Sequence, residues 1–266
     1  MKKPLEYAVI AVFTSPKLGF KGNPAAVVDL SKPLSGKVMQ EIASGINLPA
    51  TSFIHTDEAG KHHVSWFAPD QEIGLCGHGA AAAGIFLGSK LKKESITLYY
   101  NKGEISVILD KGFKMVLNSI LLKKRIEVPQ AIAEGLGIPI LEMWETDNKH
   151  FILTDKESSV KNIEPDFDRL RDSNIFGYAV TAPGDMVDFV SRTFVPHVQQ
   201  LEDHATGSSH AILVPFWAQK LGKRELVSHQ LSSRGGLFKS TFENDRLTLQ
   251  GDFLCEQESE TVFYRN

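Results

Sequence analysis

Two stretches of this 266-residue chain are apolar on every side: Ala80-Ala81-Ala82-Ala83-Gly84-Ile85-Phe86-Leu87 and Ala211-Ile212-Leu213-Val214-Pro215-Phe216-Trp217-Ala218. A helix with no polar face must be enclosed by other elements if the protein is to dissolve in water. The commonest signal elsewhere is the short β-branched or aromatic run bounded by Gly, Asn, Asp or Pro, which reads as a strand. Such runs occur at Tyr7–Phe13, Ala25–Val28, Ser52–His55, His63–Phe67, Ile96–Tyr100, Ile105–Leu109, Lys114–Leu117, Phe151–Thr154, Tyr178–Thr181, Val187–Phe194 and Leu247–Gly251. A helix that must be surrounded, in a chain made mostly of strands, calls for a curled sheet around it. Two such helices call for two curled sheets. Pro215 should cost the second helix one hydrogen bond and kink it.

What precedes the two helices repeats. Phe67-Ala68-Pro69 leads, ten residues after its Pro, to Gly79 in Leu75-Cys76-Gly77-His78-Gly79. Phe194-Val195-Pro196 leads, eleven residues after its Pro, to Gly207 in Asp203-His204-Ala205-Thr206-Gly207. The two glycines stand 128 positions apart, close to half the chain. Strand, Phe-x-Pro, polar loop, Gly and apolar helix, twice in one order, read as an internal duplication whose period is too long for a solenoid. The expected class is therefore α/β (or α+β), with two pseudo-symmetric domains, each a curved sheet or barrel around a buried helix. The domains should be residues 1–120, with 258–266 returning to them through a strand at Thr261–Tyr264, and residues 121–257. An amphipathic helix is expected at Ser35–Ile46, with Val38, Met39, Ile42, Ala43 and Ile46 on one face behind a Ser35 cap. Shorter helices are expected at Pro129–Leu136 and Asp166–Arg171, and a hairpin turn at Glu243-Asn244-Asp245.

Charge narrows the partners. Lys plus Arg number 29 against 32 Asp plus Glu, a net charge of −3, which argues against a nucleic-acid groove or an anionic membrane surface. Two cysteines, Cys76 and Cys255, make a disulfide framework unexpected and favour a reducing compartment. The apolar run Ala8–Phe13 is too short for a signal peptide or a membrane span, so the expected location is the cytoplasm. No GxGxxG, P-loop or paired CxxC pattern occurs, and His55, His62 and His63 lack the spacing of a metal site.

A glycine turn opening onto a helix presents free backbone N–H groups and the positive end of the helix dipole, which suits an anion. A plain tight connection needs only one Ser or Thr as a cap. Here His78 sits in one turn, while Glu202, Asp203, His204, Thr206, Ser208, Ser209 and His210 crowd the other. Arg234-Gly235-Gly236 reads equally as an anion contact or a plain turn, and Lys123-Lys124-Arg125 as a solvated face at the domain connection.

Three segments, Gly22-Asn23-Pro24-Ala25-Ala26-Val27-Val28, Trp66-Phe67-Ala68-Pro69 leading to Cys76-Gly77-His78-Gly79, and Glu202-Asp203-His204-Ala205-Thr206-Gly207-Ser208, resemble the signatures of the phenazine-biosynthesis-like (PhzF-like) family over nearly the whole chain. The resemblance implies the diaminopimelate-epimerase fold, with the site in the cleft between two similar domains. It also implies a cofactor-free isomerase that moves a proton on a carbon acid beside a carboxylate, and so a small-molecule carboxylate as partner, with a homodimer as a further expectation. Carried over by resemblance, Asp203 and His78 are the catalytic groups, and Gly77, Gly79, Gly207, Ser208 and Asn23 bind substrate. The family's general-base Glu falls on Ala50, whose methyl group accepts no proton, and His204 stands where the family usually has Pro.

Superposing Gly79 on Gly207 sets Cys76 opposite His204, a thiol/imidazole pair that would parallel the cysteine-dependent epimerases. Its alternative is a small buried Cys beside an incidental His. Asp203 reads either as the remaining base or as a carboxylate that caps a helix. Asp70 and Glu72 are candidate replacements for the missing Glu, or solvated loop residues. Two functions remain open on these residues: the isomerase, and a non-catalytic carboxylate-binding or protein-interaction member that kept the cleft and lost the base at Ala50.

Overall fold

The computed structural model describes residues 3–264 as a mixed α+β chain. In chain order the elements are β1 (Lys3–Thr14), β2 (Asn23–Leu30), α1 (Gly36–Ile46), β3 (Thr51–Thr56), β4 (His62–Phe67), β5 (Glu72–Ile73), α2 (Gly77–Leu91), β6 (Ser95–Tyr100), β7 (Gly103–Leu109) and β8 (Phe113–Asn118). There follow α3 (Gln130–Leu136), β9 (Glu142–Trp144), β10 (His150–Leu153), α4 (Glu157–Lys161), α5 (Phe167–Arg171), β11 (Tyr178–Pro183) and β12 (Phe189–Phe194). The chain ends with β13 (Glu202–Asp203), α6 (Gly207–Leu221), β14 (Glu225–Gln230), β15 (Gly236–Glu243) and β16 (Arg246–Tyr264). Two compact units result: Met1–Thr14 with Lys21–Val116 and Gln250–Asn266, and Ser15–Phe20 with Leu117–Leu249. The chain leaves the first unit along β8 and re-enters it along β16.

In the first unit the strands run β1-β2-β3-β4-β6-β7-β8-β16, and the antiparallel pairing of β16 with β1 closes them into a barrel. The pairs β2–β3 and β4–β6 are parallel, so a crossover must join each. Helix α2 is the second crossover. It touches β1, β2, β3, β6 and β7, and His78–Ile85 are buried, as an all-apolar helix requires. Helix α1 lies outside the barrel: Ile42 and Ala43 pack on Val28, Phe53 and Phe67, with Val38, Met39 and Ile46 partly buried around them. Ser35 caps it, its Oγ accepting the Val38 N–H at 3.4 Å.

The second unit repeats this wiring. Its order is β9-β10-β11-β12-β14-β15, continued by the first residues of β16, with β10–β11 and β12–β14 parallel. Helix α6 is the buried crossover and touches β11, β14 and β15. It runs unbroken through Pro215. Proline removes the N–H that would reach the Ala211 carbonyl one turn earlier, and the Ile120 N–H takes its place at 2.9 Å. A second core, on Ile132, Leu136, Ile152, Val160, Leu170, Val180 and Phe194, is covered by α3, α4 and α5. The expected hairpin turn joins β15 to β16, with Asn244 and Asp245 both at positive φ (51° and 59°).

Candidate active site

Each buried helix opens on an uncapped turn. At α2 the N-cap residue Cys76 has φ −121° and ψ 103°. At α6, Thr206 has φ −119° and ψ 102°, and neither side chain caps its helix. Neither N-cap side chain therefore takes up the first N–H groups of its helix, and the helix dipole adds positive potential there.

In the first turn, β5 folds back on β4, pairing Glu72 with Phe67, and delivers the chain to Cys76. Gly79 sits directly on Trp66 and Ser52. A Cβ there would stand 2.7 Å from Trp66 Cδ1, 3.0 Å from Cys76 Sγ and 3.1 Å from Ser52 Oγ, so no larger residue fits. Ser52 Oγ donates to the Gly79 carbonyl at 3.0 Å and ties the turn to β3. Cys76 Sγ lies 3.5 Å from His78 Nδ1, with both residues buried. Two further polar atoms beneath this turn, Thr51 Oγ1 and Trp66 Nε1, are buried without a hydrogen-bond partner. Ala50 is fully buried at the entry to β3, where its carbonyl accepts the Ala26 N–H at 2.9 Å. Asn23 opens β2 opposite Val12 and is also fully buried. The preceding Gly22 has φ +65°, and a Cβ would fall 2.2 Å from the Val12 carbonyl oxygen, so that place in the motif admits only glycine.

In the second turn, Glu202 is held by a bidentate ion pair with Arg192, at 2.7 and 2.9 Å, and Arg192 also donates to the Ile163 carbonyl. Glu202 is thereby committed to structure. Asp203 follows it and pairs with Thr193 of β12. Gln230, fully buried at the end of β14, clamps the turn. Its Oε1 accepts the Thr206 N–H at 2.8 Å, and its Nε2 donates to the Asp203 carbonyl at 2.6 Å and to Thr206 Oγ1 at 3.0 Å. Ser232 Oγ donates to the His204 carbonyl at 2.7 Å, which places the Arg234-Gly235-Gly236 loop against the same turn. Burial lowers the His204 pKa, Arg234 adds to the effect, and Asp203 and Glu202 oppose it. Its imidazole is therefore neutral at pH 7, with Nδ1 buried and unpartnered. Lys149, buried just before β10, donates to Ser208 Oγ at 2.9 Å.

The two buried helices align with a shift of 130 rather than 128: α2 and α6 begin at Gly77 and Gly207 and are each fifteen residues long. The expected match of Gly79 with Gly207 is thus displaced by two residues. Cys76 corresponds to Thr206, His78 to Ser208 and His204 to Gly74, which removes the alignment on which Cys76 was set opposite His204. The cause is loop length. The Phe-x-Pro signatures, 127 apart, sit in loops of unequal length, so neither Pro marks where its helix begins. Glu72 is solvent-exposed on β5. His62 Nδ1 bonds Thr56 Oγ1 and His63 Nε2 bonds Asp57, both at 2.8 Å, and no group of three His, Cys, Asp or Glu converges among the described residues. Also among the described residues, no helix is long and apolar enough to cross a membrane. Gln230, Arg192 and Lys149 had no sequence signal, because each reaches the turn from outside it, across 24, 10 and 59 positions.

His210 is fully buried and reads as the pin of α6 rather than as a reacting group. The Thr206 carbonyl can only accept, so His210 Nδ1–H donates to it at 2.9 Å, and Nε2 accepts from Ser228 Oγ at 3.0 Å. The ring stacks on Phe238 at 3.6 Å between centroids. Burial pushes its pKa down to about 4. An unfolded histidine titrates near 6.5, so below that pH the unfolded chain binds the extra proton and folding weakens as pH falls toward 4. That contribution is complete above about pH 6.5 and is worth on the order of 3 kcal/mol. Denaturant midpoints measured from pH 7 to 4 should fall for the wild type and lose this part of the slope in His210→Gln. Equal slopes would assign the acid sensitivity elsewhere.

Comparison with known proteins agrees with this construction. The model of the family described as phenazine biosynthesis-like protein (PhzC-PhzF) matches residues 10–252. An uncharacterized isomerase of Halalkalibacterium halodurans is 34% identical over 260 residues, covering 96% of this chain and 97% of that protein. The crystal structure of a PhzF family protein from Enterococcus faecalis superposes with a TM-score of 0.88 at 32% identity, covering 98% and 99% of the two chains. A predicted epimerase from Pseudomonas aeruginosa shares the fold, with a TM-score of 0.72 at 16% identity over 97% of this chain and 99% of that one. With a sheet wrapped on a buried helix in each unit, two glycine turns without side-chain caps and a match over most of its length, the chain belongs to the phenazine biosynthesis-like (PhzF) family.

Proposed function

We propose that this protein is an isomerase that transfers a proton between carbons of a small carboxylate-bearing metabolite, without a cofactor. The observation that carries the reading is the second turn. Asp203 is a half-buried carboxylate residue whose backbone is fixed by Gln230, in the turn that leads into α6. A proton-transfer catalyst needs a positioned group that can hold and return a proton, together with donors for the charge that builds up on the substrate carboxylate. Asp203 is the acid–base group of this reading and His78 assists it. Gly77, Gly79, Gly207 and Ser208 supply backbone and hydroxyl donors, and Asn23 a side-chain amide. Ala50 contributes no base, so Asp203 must both take and return the proton.

A second reading has one observation in its favour: Ala50 is fully buried, with no proton-accepting atom on its side chain. On that reading the protein binds a carboxylate and does no chemistry. Incubation in D₂O with a panel of small unsaturated or α-substituted carboxylic acids separates the two. The isomerase should place deuterium at carbon, seen by mass spectrometry or loss of the proton NMR signal. A ligand that raises the melting temperature yet exchanges no C–H would establish the binder.

A further inference from the structure

Lys149 is 6% exposed, at the corner that leads into β10, where the Thr146 hydroxyl donates to its carbonyl oxygen at 2.7 Å. Its Nζ donates to Asn148 Oδ1 at 2.8 Å and to Ser208 Oγ at 2.9 Å. Ser208 occupies the second position of α6, inside the uncapped first turn.

The same corner exists in the first unit. There the Ala26 N–H donates to the Ala50 carbonyl, and Ala26 pairs with Thr51. In the second unit the His150 N–H donates to the Gly177 carbonyl, and His150 pairs with Tyr178. Lys149 therefore corresponds to Ala25, which is fully buried. One half of the molecule builds this corner with a methyl group and the other with an ammonium, so the fold itself does not require the charge. The partners of Lys149 Nζ include two neutral oxygens, Asn148 Oδ1 and Ser208 Oγ, and it lies 5.9 Å over the Phe176 ring.

Hydrogen-bond bookkeeping fixes the direction of the bond to Ser208. An ammonium only donates, so Ser208 Oγ must be the acceptor in the Lys149 bond, and its own hydrogen points elsewhere. Among the described residues no acceptor for that hydrogen is present. We propose that Lys149 is a positioning residue for substrate: it holds Ser208 so that the hydroxyl donates outward, and its charge makes that donor selective for a carboxylate over a neutral group. The inference rests on the proposed carboxylate substrate. It adds a specificity element to Ser208 that the first unit, with His78 at the corresponding position, lacks.

Binding of malonate and of its neutral diamide, malonamide, tests it by titration with protein NMR on the full chain. The wild type should bind malonate and strongly prefer it to malonamide. Lys149→Met should weaken malonate about tenfold to a hundredfold and remove the preference. Lys149→Arg, which keeps the cation, should stay within about threefold of wild type, a rescue that a merely structural lysine would not show. In a Ser208→Ala background, Lys149→Met should cost much less than it does alone. Wild-type affinity for malonate in a Lys149→Met protein that melts normally would overturn this inference and leave the carboxylate reading standing. A wild type that binds neither probe would overturn both. Should Lys149→Met fail to melt cooperatively, Lys149→Gln and Ser208→Ala carry the test, and wild-type malonate affinity in either one overturns the proposal.

Discussion

Asp203→Asn should slow carbon-bound deuterium exchange by about 10²–10⁴-fold while leaving carboxylate affinity within about threefold. The substitution keeps size and polarity and removes only the ability to take up a proton. The turn should survive it, because the clamp from Gln230 reaches the Asp203 backbone carbonyl and not its carboxylate. Binding and chemistry should therefore separate cleanly. Cys76→Ser is the control, because Cys76 lies against His78 at 3.5 Å and offers the competing acid–base pair. Full exchange in Asp203→Asn, together with loss in Cys76→Ser, would transfer the reaction to the first turn.

The second large effect is a gain. If Ala50 marks the place of the family's carboxylate, Ala50→Glu should raise the rate of a family-type isomerisation by on the order of 10²–10⁴ over wild type. Ala50 is fully buried, so the longer side chain has to displace its neighbours, and a lowered melting temperature should accompany the gain. Burial also raises a carboxyl pKa, and the gain should accordingly grow between pH 6 and 9 as the new group ionises. Efficient turnover by the wild type, with Ala50→Glu no faster, would show that the base lies elsewhere and that Ala50 was matched to the wrong position.

What the sequence determined by itself was the enclosure of two helices. Apolar residues on every face of Ala80–Leu87 and Ala211–Ala218 admit no solvent-exposed placement, and the strand-rich remainder leaves only sheets to surround them. The two glycine turns were legible for a similar local reason, since each lies within a few residues of its own helix. Strands whose signal is local, such as Tyr7–Phe13 inside β1, were legible as well. Strand β14 was not. Its buried residues include Ser228 and Gln230, polar groups whose partners are His210 in α6 and Thr206 at its N-cap. The middle of β16 was hidden too, because Asp252–Glu260 is exposed, carries four carboxylates without an apolar–polar alternation, and is a strand through its backbone pairing with β1. The same division runs through the candidate site. Asp203, His78 and Ser208 announce themselves by their place in a turn, whereas Gln230 and Arg192 act on the second turn from other strands and Lys149 from the corner before β10. Sequence carries the information for contacts made within a few residues. The hydrogen bonds that aim the second turn join residues separated by 24 and 59 positions, and only the tertiary structure brings them together.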